Sequence, residues 1–205
     1  MALVLAGLSA HAEADVFKLF GEVQGGAVGG KGLSGDPVTA GPDDEAFFAN
    51  VPHGAYGVRL GARLFIIDGV IQHHQFTNGS RLATWTQFAA GIGVQADLGD
   101  EKTKKAKKGG FVDVGVNLAF GLGTGQQVDP PLSNDEITDK GFLIEGRIGY
   151  GKHLGKVFDV GVTVPVSWGY FFKTDFDNTA NDVTTHYKSL QAAGLLYLRM
   201  NLKLF

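Results

Sequence analysis

The chain has 205 residues, of which 31 are glycine, 15 are phenylalanine and none is cysteine. The length fits one β-domain of sandwich or barrel size, and the absence of cysteine excludes a disulfide scaffold, a thiolate metal site and a cysteine nucleophile. The formal net charge of −3 gives no reason to expect a nucleic-acid partner. The sequence contains no apolar run of the roughly 18 residues that a transmembrane helix requires.

The first segment, 1–14, has features of a secretory signal. An apolar run over Ala2–Leu8 is followed by small-x-small sites at Ala10–Ala12 and Ala12–Ala14. No basic segment precedes the run, so a plain N-terminal segment stays open as the alternative. We predict a signal-peptide remnant at 1–14 and one folded domain at 15–205.

Alternation of apolar with polar or small residues, the period of a β-strand, recurs in eight segments. In chain order they are 16–28, 56–67, 70–77, 82–98, 111–123, 142–152, 157–172 and 187–205. Segment 70–77 gives the weakest pattern, because neither of its faces is cleanly apolar. Long connections are predicted at 29–53, 124–140 and 173–186, and short ones at 68–69 and 153–156. The links at 78–80 and 101–110 depart from this alternation of long and short.

The seventh segment, 157–172, indicates whether the apolar face of the sheet contacts lipid or a protein core. Every second residue from Phe158 to Phe172 is apolar, with valines in the middle and aromatics at both ends. In a soluble sandwich this face would be the core, whereas in a membrane barrel it would contact lipid. Aromatics that flank an apolar band are typical of membrane interfaces. The pattern favours a membrane barrel over the alternative, a soluble β-sandwich or lipocalin-like barrel.

These features predict an all-β fold, an eight-stranded antiparallel up-and-down transmembrane β-barrel over 15–205. Its outer face would carry two aromatic girdles: Tyr56, Phe120, Phe142, Trp168, Tyr170 and Phe172 near the long loops, and Phe17, Tyr150 and Phe158 near the short turns. Its lumen would hold a charge cluster in which opposite signs can pair: Lys18, Glu22, Arg59, Arg63, Asp113, Glu145, Arg147, Asp159, Arg199 and Lys203.

With this architecture over Val16–Phe205 and a C-terminal phenylalanine, Phe205, the chain resembles the small bacterial outer-membrane β-barrels, the OmpA-, OmpX- and OmpW-like proteins. The resemblance implies a location in the outer membrane of a Gram-negative envelope. It also implies contact with outer-membrane lipid and lipopolysaccharide, and recognition by the barrel-assembly machinery through Phe205.

Few residues offer catalytic or ligand-binding chemistry. The segment 121–125 has a glycine-rich spacing, but no helix follows it that could present an N-terminus to a phosphate. His73 and His74 are neighbours on a strand and point to opposite faces, so they cannot bind one metal together. The acidic residues of 175–182 offer oxygen ligands but lack the spacing of a known calcium loop. We predict no metal site and no cofactor.

An eight-stranded barrel has an interior that side chains just fill, which disfavours a wide pore. We therefore predict a non-enzymatic outer-membrane barrel whose role lies in its surface loops or in membrane integrity. The main alternative is a narrow channel or carrier for small or hydrophobic solutes, as OmpW-like resemblance implies; it requires a path between the lumen charges. The less favoured alternative is a lipid-modifying enzyme using His186 and Ser189, which have opposite strand parity.

Overall fold

The computed structural model describes residues 17–35, 53–78, 81–98, 109–127, 137–175 and 183–203. They form eight strands: β1 (Phe17–Gly35), β2 (His53–Leu64), β3 (Ile67–Asn78), β4 (Arg81–Asp97), β5 (Gly110–Gln127), β6 (Ile137–Leu154), β7 (Phe158–Asp175) and β8 (Val183–Lys203). Each strand pairs antiparallel with the next, and β8 pairs with β1, so the sheet closes into a barrel. This order confirms the predicted eight-stranded antiparallel fold, and with it the resemblance to small outer-membrane barrels at the level of architecture.

Several strands extend further toward the long loops than the alternation predicted. β1 continues through Gly35 instead of ending at Val28, and Gly29 and Gly30 pair with Ala192 and Gln191 of β8. A β-ladder is made by backbone groups, so glycines continue it after the apolar pattern has stopped. For the same reason β5 runs to 127 and β6 starts at 137. The strands therefore include parts of the predicted long loops, namely 29–35, 124–127, 137–140, 173–175 and 183–186, whereas 36–52, 128–136 and 176–182 lie outside the described residues.

The predicted turn at Asp68-Gly69 is wrong. The last pair of the β2–β3 ladder is Leu64 with Ile67, so the turn that joins the two strands consists of Phe65 and Ile66. Phe65 has a φ of 55°, a conformation that non-glycine residues adopt only occasionally. Asp68 lies instead inside β3 and is 1% exposed, because its carboxylate pairs with an arginine of β2. A buried ion pair therefore outweighs the local preference of an Asp-Gly sequence for a turn.

Side chains alternate between the lumen and the exterior along each strand. The outward faces carry large apolar residues that are mostly solvent-exposed, among them Val23 at 62%, Leu60 at 60% and Leu118 at 66%. Soluble monomers rarely expose such a continuous apolar surface, whereas the outer band of a membrane barrel consists of these residues. The soluble alternative requires the apolar faces to point inward, which is the opposite of the observed arrangement. No helix of the described segments is long and apolar enough to span a membrane.

The nine residues predicted for the aromatic girdles all occupy outward-facing strand positions. Near the long loops, the rings of Phe120 and Phe142 have centroids 5.1 Å apart, and those of Tyr170 and Phe172 are 5.0 Å apart and edge-on. Phe17, Tyr150 and Phe158 lie toward the opposite rim, where the short turns are. We refer to the two ends of the barrel as the loop rim and the turn rim.

Candidate functional site in the barrel lumen

The lumen is filled by side chains in layers whose order follows each strand. From the turn rim upward, β1 points Lys18, Glu22, Gln24 and Val28 inward. Across the barrel, most of the buried charged residues lie in the half near the turn rim, together with the rings of Phe20, Phe111 and Tyr197. Amides and a histidine lie above them, and most of the other buried apolar side chains fill the half near the loop rim, beside Ser189 and Gln191 of β8.

The charged layer is a continuous set of ion pairs, which we call the lumen ion network: Glu22, Arg59, Arg63, Asp68, Asp113, Arg147 and Arg199. Glu22 accepts hydrogen bonds from Arg59 at 3.1 Å and from Arg199 at 2.6 Å. Arg199 also donates to Asp113 at 3.1 Å, and Arg147 donates to the other oxygen of the same carboxylate at 3.3 Å. These bonds connect β1, β2, β5, β6 and β8 across the lumen.

The network is extended to β3 by the pair between Arg63 and Asp68. The guanidinium donates two hydrogen bonds to the carboxylate, at 2.6 Å and 2.8 Å. It also lies 3.7 Å from Asp113, and Arg147 lies 3.9 Å from Asp68. Each carboxylate of the network thus has at least two arginine neighbours, which offsets the cost of burying its charge.

Aromatic rings support the arginines from the sides. The guanidinium of Arg59 lies 5.0 Å from the ring centroid of Phe20, and that of Arg199 lies 4.9 Å from the ring of Tyr197. Cation–π contacts of this kind add to the pairing where water is excluded. They also fix the direction in which each guanidinium points.

Amide side chains continue the hydrogen bonds above the network. Gln24 donates to Glu22 at 2.7 Å and contacts His74 at 2.8 Å through its carbonyl oxygen. On the other side of the lumen, Gln87 donates to Glu145 at 3.3 Å. Glu145 therefore has a neutral hydrogen-bond partner, and no ion pair joins it to a described residue.

Interior glycines make room for the interior aromatic rings. A Cβ added at Gly61 would overlap the ring of Phe20, and one added at Gly121 would overlap that of Trp85. The same relationship holds between Gly169 and Phe171. Several interior glycines therefore leave room for large rings beside the barrel wall.

At the turn rim a second polar group ties four strands together. His153 of β6 lies 2.7 Å from Asp159 of β7 and 3.2 Å from Asp97 of β4, through its two ring nitrogens. Asn201 of β8 donates to Asp159 at 2.6 Å. The ring of Phe111 covers the imidazole at a centroid distance of 4.8 Å.

The nine described residues of the predicted charge cluster are all inside the lumen and 2–8% exposed. Six of them belong to the lumen ion network: Glu22, Arg59, Arg63, Asp113, Arg147 and Arg199. The other three have different partners: Lys18 donates to Gln95, Glu145 accepts from Gln87, and Asp159 contacts His153 and Asn201. The side chain of Lys203 lies outside the described residues.

Sequence reasoning missed Asp68, which it assigned to a turn, and it gave no role to Gln24, His74 or Gln87. The sequence does contain a signal for Asp68: when the turn is placed three residues earlier, at 65–66, Asp68 pairs directly with Arg63. The sequence pattern does not indicate His74, because neither face of its strand, β3, is cleanly apolar. It does not indicate Gln87 either, because an uncharged amide does not stand out in a pattern of charges.

The other residues considered for chemistry are not brought together. His186 is exposed on the outer wall, where its ring stacks on Tyr170, whereas Ser189 is fully buried in the lumen. His73 and His74 point to opposite sides of β3. The described residues contain no group of three His, Cys, Asp or Glu that could hold a metal. The acids at 177 and 182, together with Phe205, lie outside the described residues.

No protein-family model matches the sequence, and no curated protein matches it. Solved structures do match. The crystal structure of Neisserial surface protein A is 9% identical and has a TM-score of 0.46, with 92% of this chain and 97% of that chain covered. The translocator domain of the autotransporter NalP from Neisseria meningitidis is also 9% identical, with a TM-score of 0.32 and coverage of 97% and 92%. The fold assignment itself rests on the closed strand order described above.

Proposed function

We propose that the protein is an integral outer-membrane barrel without catalytic activity, whose lumen is closed and whose role lies in its surface loops or in membrane integrity. The observation that carries this proposal is the lumen ion network. An ion or solute crossing the barrel would have to pass between Glu22, Arg199 and Asp113, whose side chains are joined by hydrogen bonds of 2.6 Å and 3.1 Å.

Opening this path would separate buried charges, which is strongly unfavourable. Removing one partner of a buried ion pair typically costs about 3–5 kcal/mol, because the other charge is left uncompensated. Arg199 bridges two carboxylates, Glu22 of β1 and Asp113 of β5. If the lumen is closed, the outer wall and the loops are the surfaces through which the protein contacts other molecules.

The proposal extends to partners. The apolar outer band would contact the acyl chains of outer-membrane lipid, including lipopolysaccharide on the side of the long loops. Insertion would depend on the barrel-assembly machinery, with Phe205 as its recognition residue. The experiment for location is electrophoresis of boiled and unboiled protein from fractionated outer membranes. A faster unboiled band in that fraction supports the proposal, and soluble protein without a heat-dependent shift contradicts it.

A cavity in the loop half of the lumen favours a second candidate, a carrier or binding protein for a small solute. Its volume is about 50 Å³, enough for a few atoms beyond a water molecule. Apolar and aromatic side chains line most of it: Val28, Ala55, Phe76, Trp85, Leu143 and Leu195. Its polar lining comes from Gln72, His74, Gln87, Glu145, Ser167 and Gln191. Because Glu145 is the acid among them, a small cation with an apolar body fits the chemistry of the cavity.

This second candidate can be tested with n-butylammonium, using the fluorescence of Trp85 in a Trp168→Phe background. A solute site predicts saturable quenching that Glu145→Gln weakens, that 1-butanol does not reproduce, and that Ala193→Leu abolishes by filling the cavity. Quenching that is the same for all of these variants and probes would rule out the site.

A further inference from the structure

Among the described side chains of the exterior, charged groups lie only toward the two ends of the strands. Among the described side chains, the outward-facing strand positions hold no carboxylate, and their lysines are Lys140 and Lys188 at the loop rim and Lys152 at the turn rim. Lys156 is exposed in the turn between β6 and β7. All of these lysines are exposed, and all lie on β6 to β8 or the turn within them.

The two loop-rim lysines flank one strand. Lys140 of β6 pairs with Phe172 of β7, and Phe172 pairs with His186 of β8. In the next outward row, Tyr170 of β7 pairs with Lys188 of β8. Because neighbouring strands lie about 4.8 Å apart and a strand rises about 3.4 Å per residue, the backbone positions of the two lysines are roughly 12 Å apart, two strands across and two residues along, with β7 between them.

Aromatic rings form the surface between these lysines. His186 stacks on Tyr170 with a centroid distance of 6.0 Å and an interplanar angle of 10°, and it meets Phe172 edge-on at 5.0 Å. Trp168 and Phe142 continue the aromatic surface toward the middle of the wall. The patch thus offers two ammonium groups, an imidazole and ring faces at the level where lipid headgroups meet acyl chains.

We infer that this patch, formed by Lys140, Lys188, His186, Tyr170 and Phe172, binds a phosphorylated glycolipid of the outer leaflet. The two ammonium groups bind its phosphate over β7, since lysine is a strong point-charge partner for phosphate. The ring faces of Tyr170 and Phe172 pack against the sugar, and the acyl chains follow the apolar wall below. This inference rests on the proposed outer-membrane location and adds the place and chemistry of one lipid contact.

A glycolipid is favoured over a phospholipid by two features of the patch. The lysines lie on the side of the long loops, which in an outer-membrane barrel faces the outer leaflet. Three contacting rings, those of Tyr170, Phe172 and His186, lie between them and suit packing against a carbohydrate. Near the turn-rim lysines Lys152 and Lys156 the described aromatics are Tyr150 and Phe158, and their rings do not contact each other as those of His186, Tyr170 and Phe172 do.

The test uses the full chain refolded into phosphatidylcholine nanodiscs. Bis-phosphorylated lipid A, dephosphorylated lipid A and phosphatidylglycerol are titrated separately, and bound lipid is counted by native mass spectrometry. The double variant Lys140→Gln/Lys188→Gln removes the charges of the patch. The double variant Lys152→Gln/Lys156→Gln is its matched control, with the same loss of charge at the other rim.

We expect the loop-rim double variant to bind bis-phosphorylated lipid A about tenfold more weakly than the unaltered chain, and the turn-rim variant to bind it equally well. Dephosphorylated lipid A and phosphatidylglycerol should bind weakly to all three proteins. Equal losses in the two double variants, or equal binding of phosphatidylglycerol, would overturn the inference and indicate only general attraction to anionic lipid. A heat-dependent band shift in every protein keeps this outcome separate from failure of the barrel assignment.

Discussion

Arg63 and Asp68 face each other across the β2–β3 hairpin, and the guanidinium donates two hydrogen bonds to the carboxylate inside the lumen. This pair sets the register of the hairpin. A shift of one residue would move Asp68 to the lipid side, where an unpaired carboxylate is costly.

The first prediction concerns this pair. Asp68→Asn leaves Arg63 without its bidentate partner and should lower the free energy of unfolding by about 3–5 kcal/mol. The double variant Arg63→Met/Asp68→Leu should recover most of that loss, because an apolar pair leaves no buried charge unpaired. Urea unfolding in lipid vesicles measures both. Equal stability of Asp68→Asn and the unaltered chain would mean that the pair does not stabilise the barrel.

The second prediction concerns β4, the strand next to the pair. A Cβ at Gly93 would overlap side-chain atoms of both Asp68 and Arg63, whereas a Cβ at Gly69 would meet no atom within 4 Å. Gly93→Ala should therefore cost about 1–3 kcal/mol through overpacking, and Gly69→Ala should change stability by less than about 0.5 kcal/mol. The same unfolding assay compares them. If both variants lose the same amount, crowding at Gly93 is not the cause.

The third prediction separates the two acidic partners of His153. Asp159 is 2% exposed and also accepts from Asn201, whereas the side chain of Asp97 is 42% exposed. His153→Ala should lower the free energy of unfolding by about 1–3 kcal/mol, because it leaves a buried carboxylate short of a donor. Asp97→Asn should cost less than about 1 kcal/mol, as exposed ion pairs contribute little. A larger loss for Asp97→Asn than for His153→Ala would reverse this assignment.

The fourth prediction concerns the turn between β6 and β7. Gly155 has a φ of 95°, which a side chain at this position would make unfavourable even though no neighbour lies within 4 Å. Gly155→Ala should lower stability by about 1 kcal/mol through backbone strain alone. Thermal band-shift electrophoresis measures the change, with Gly69→Ala as the control. A shift no larger than that of the control would contradict the assigned conformation.

The sequence alone predicted the number of strands, their order along the chain and the side of the wall on which most residues lie. The prediction succeeded because a strand that separates lipid from lumen must alternate strictly, as Phe158–Phe172 does. It failed where backbone pairing needs no side-chain pattern, as at Gly29 and Gly30. The same limit hid how far each strand extends beyond the apolar band.

The partners within the lumen were beyond sequence reasoning for a different reason. Alternation places Glu22 and Arg199 in the same interior, but they are 177 positions apart in the chain, and only the closure of β8 on β1 brings them into register. Which carboxylate pairs with which arginine depends on how far neighbouring strands are shifted along one another. No local sequence pattern encodes that shift. Asp68 was missed for the opposite reason, because a strong local turn signal concealed its pairing with Arg63 inside the hairpin.

Conductance in planar bilayers tests the central claim, a lumen closed by its ion network, most directly. The unaltered chain should give no discrete channel events at neutral pH, while Arg199→Ala/Asp113→Ala, which removes the central link of the network, should give small stable ones. Stable channels from the unaltered chain, with a conductance that this double variant does not change, would contradict the account.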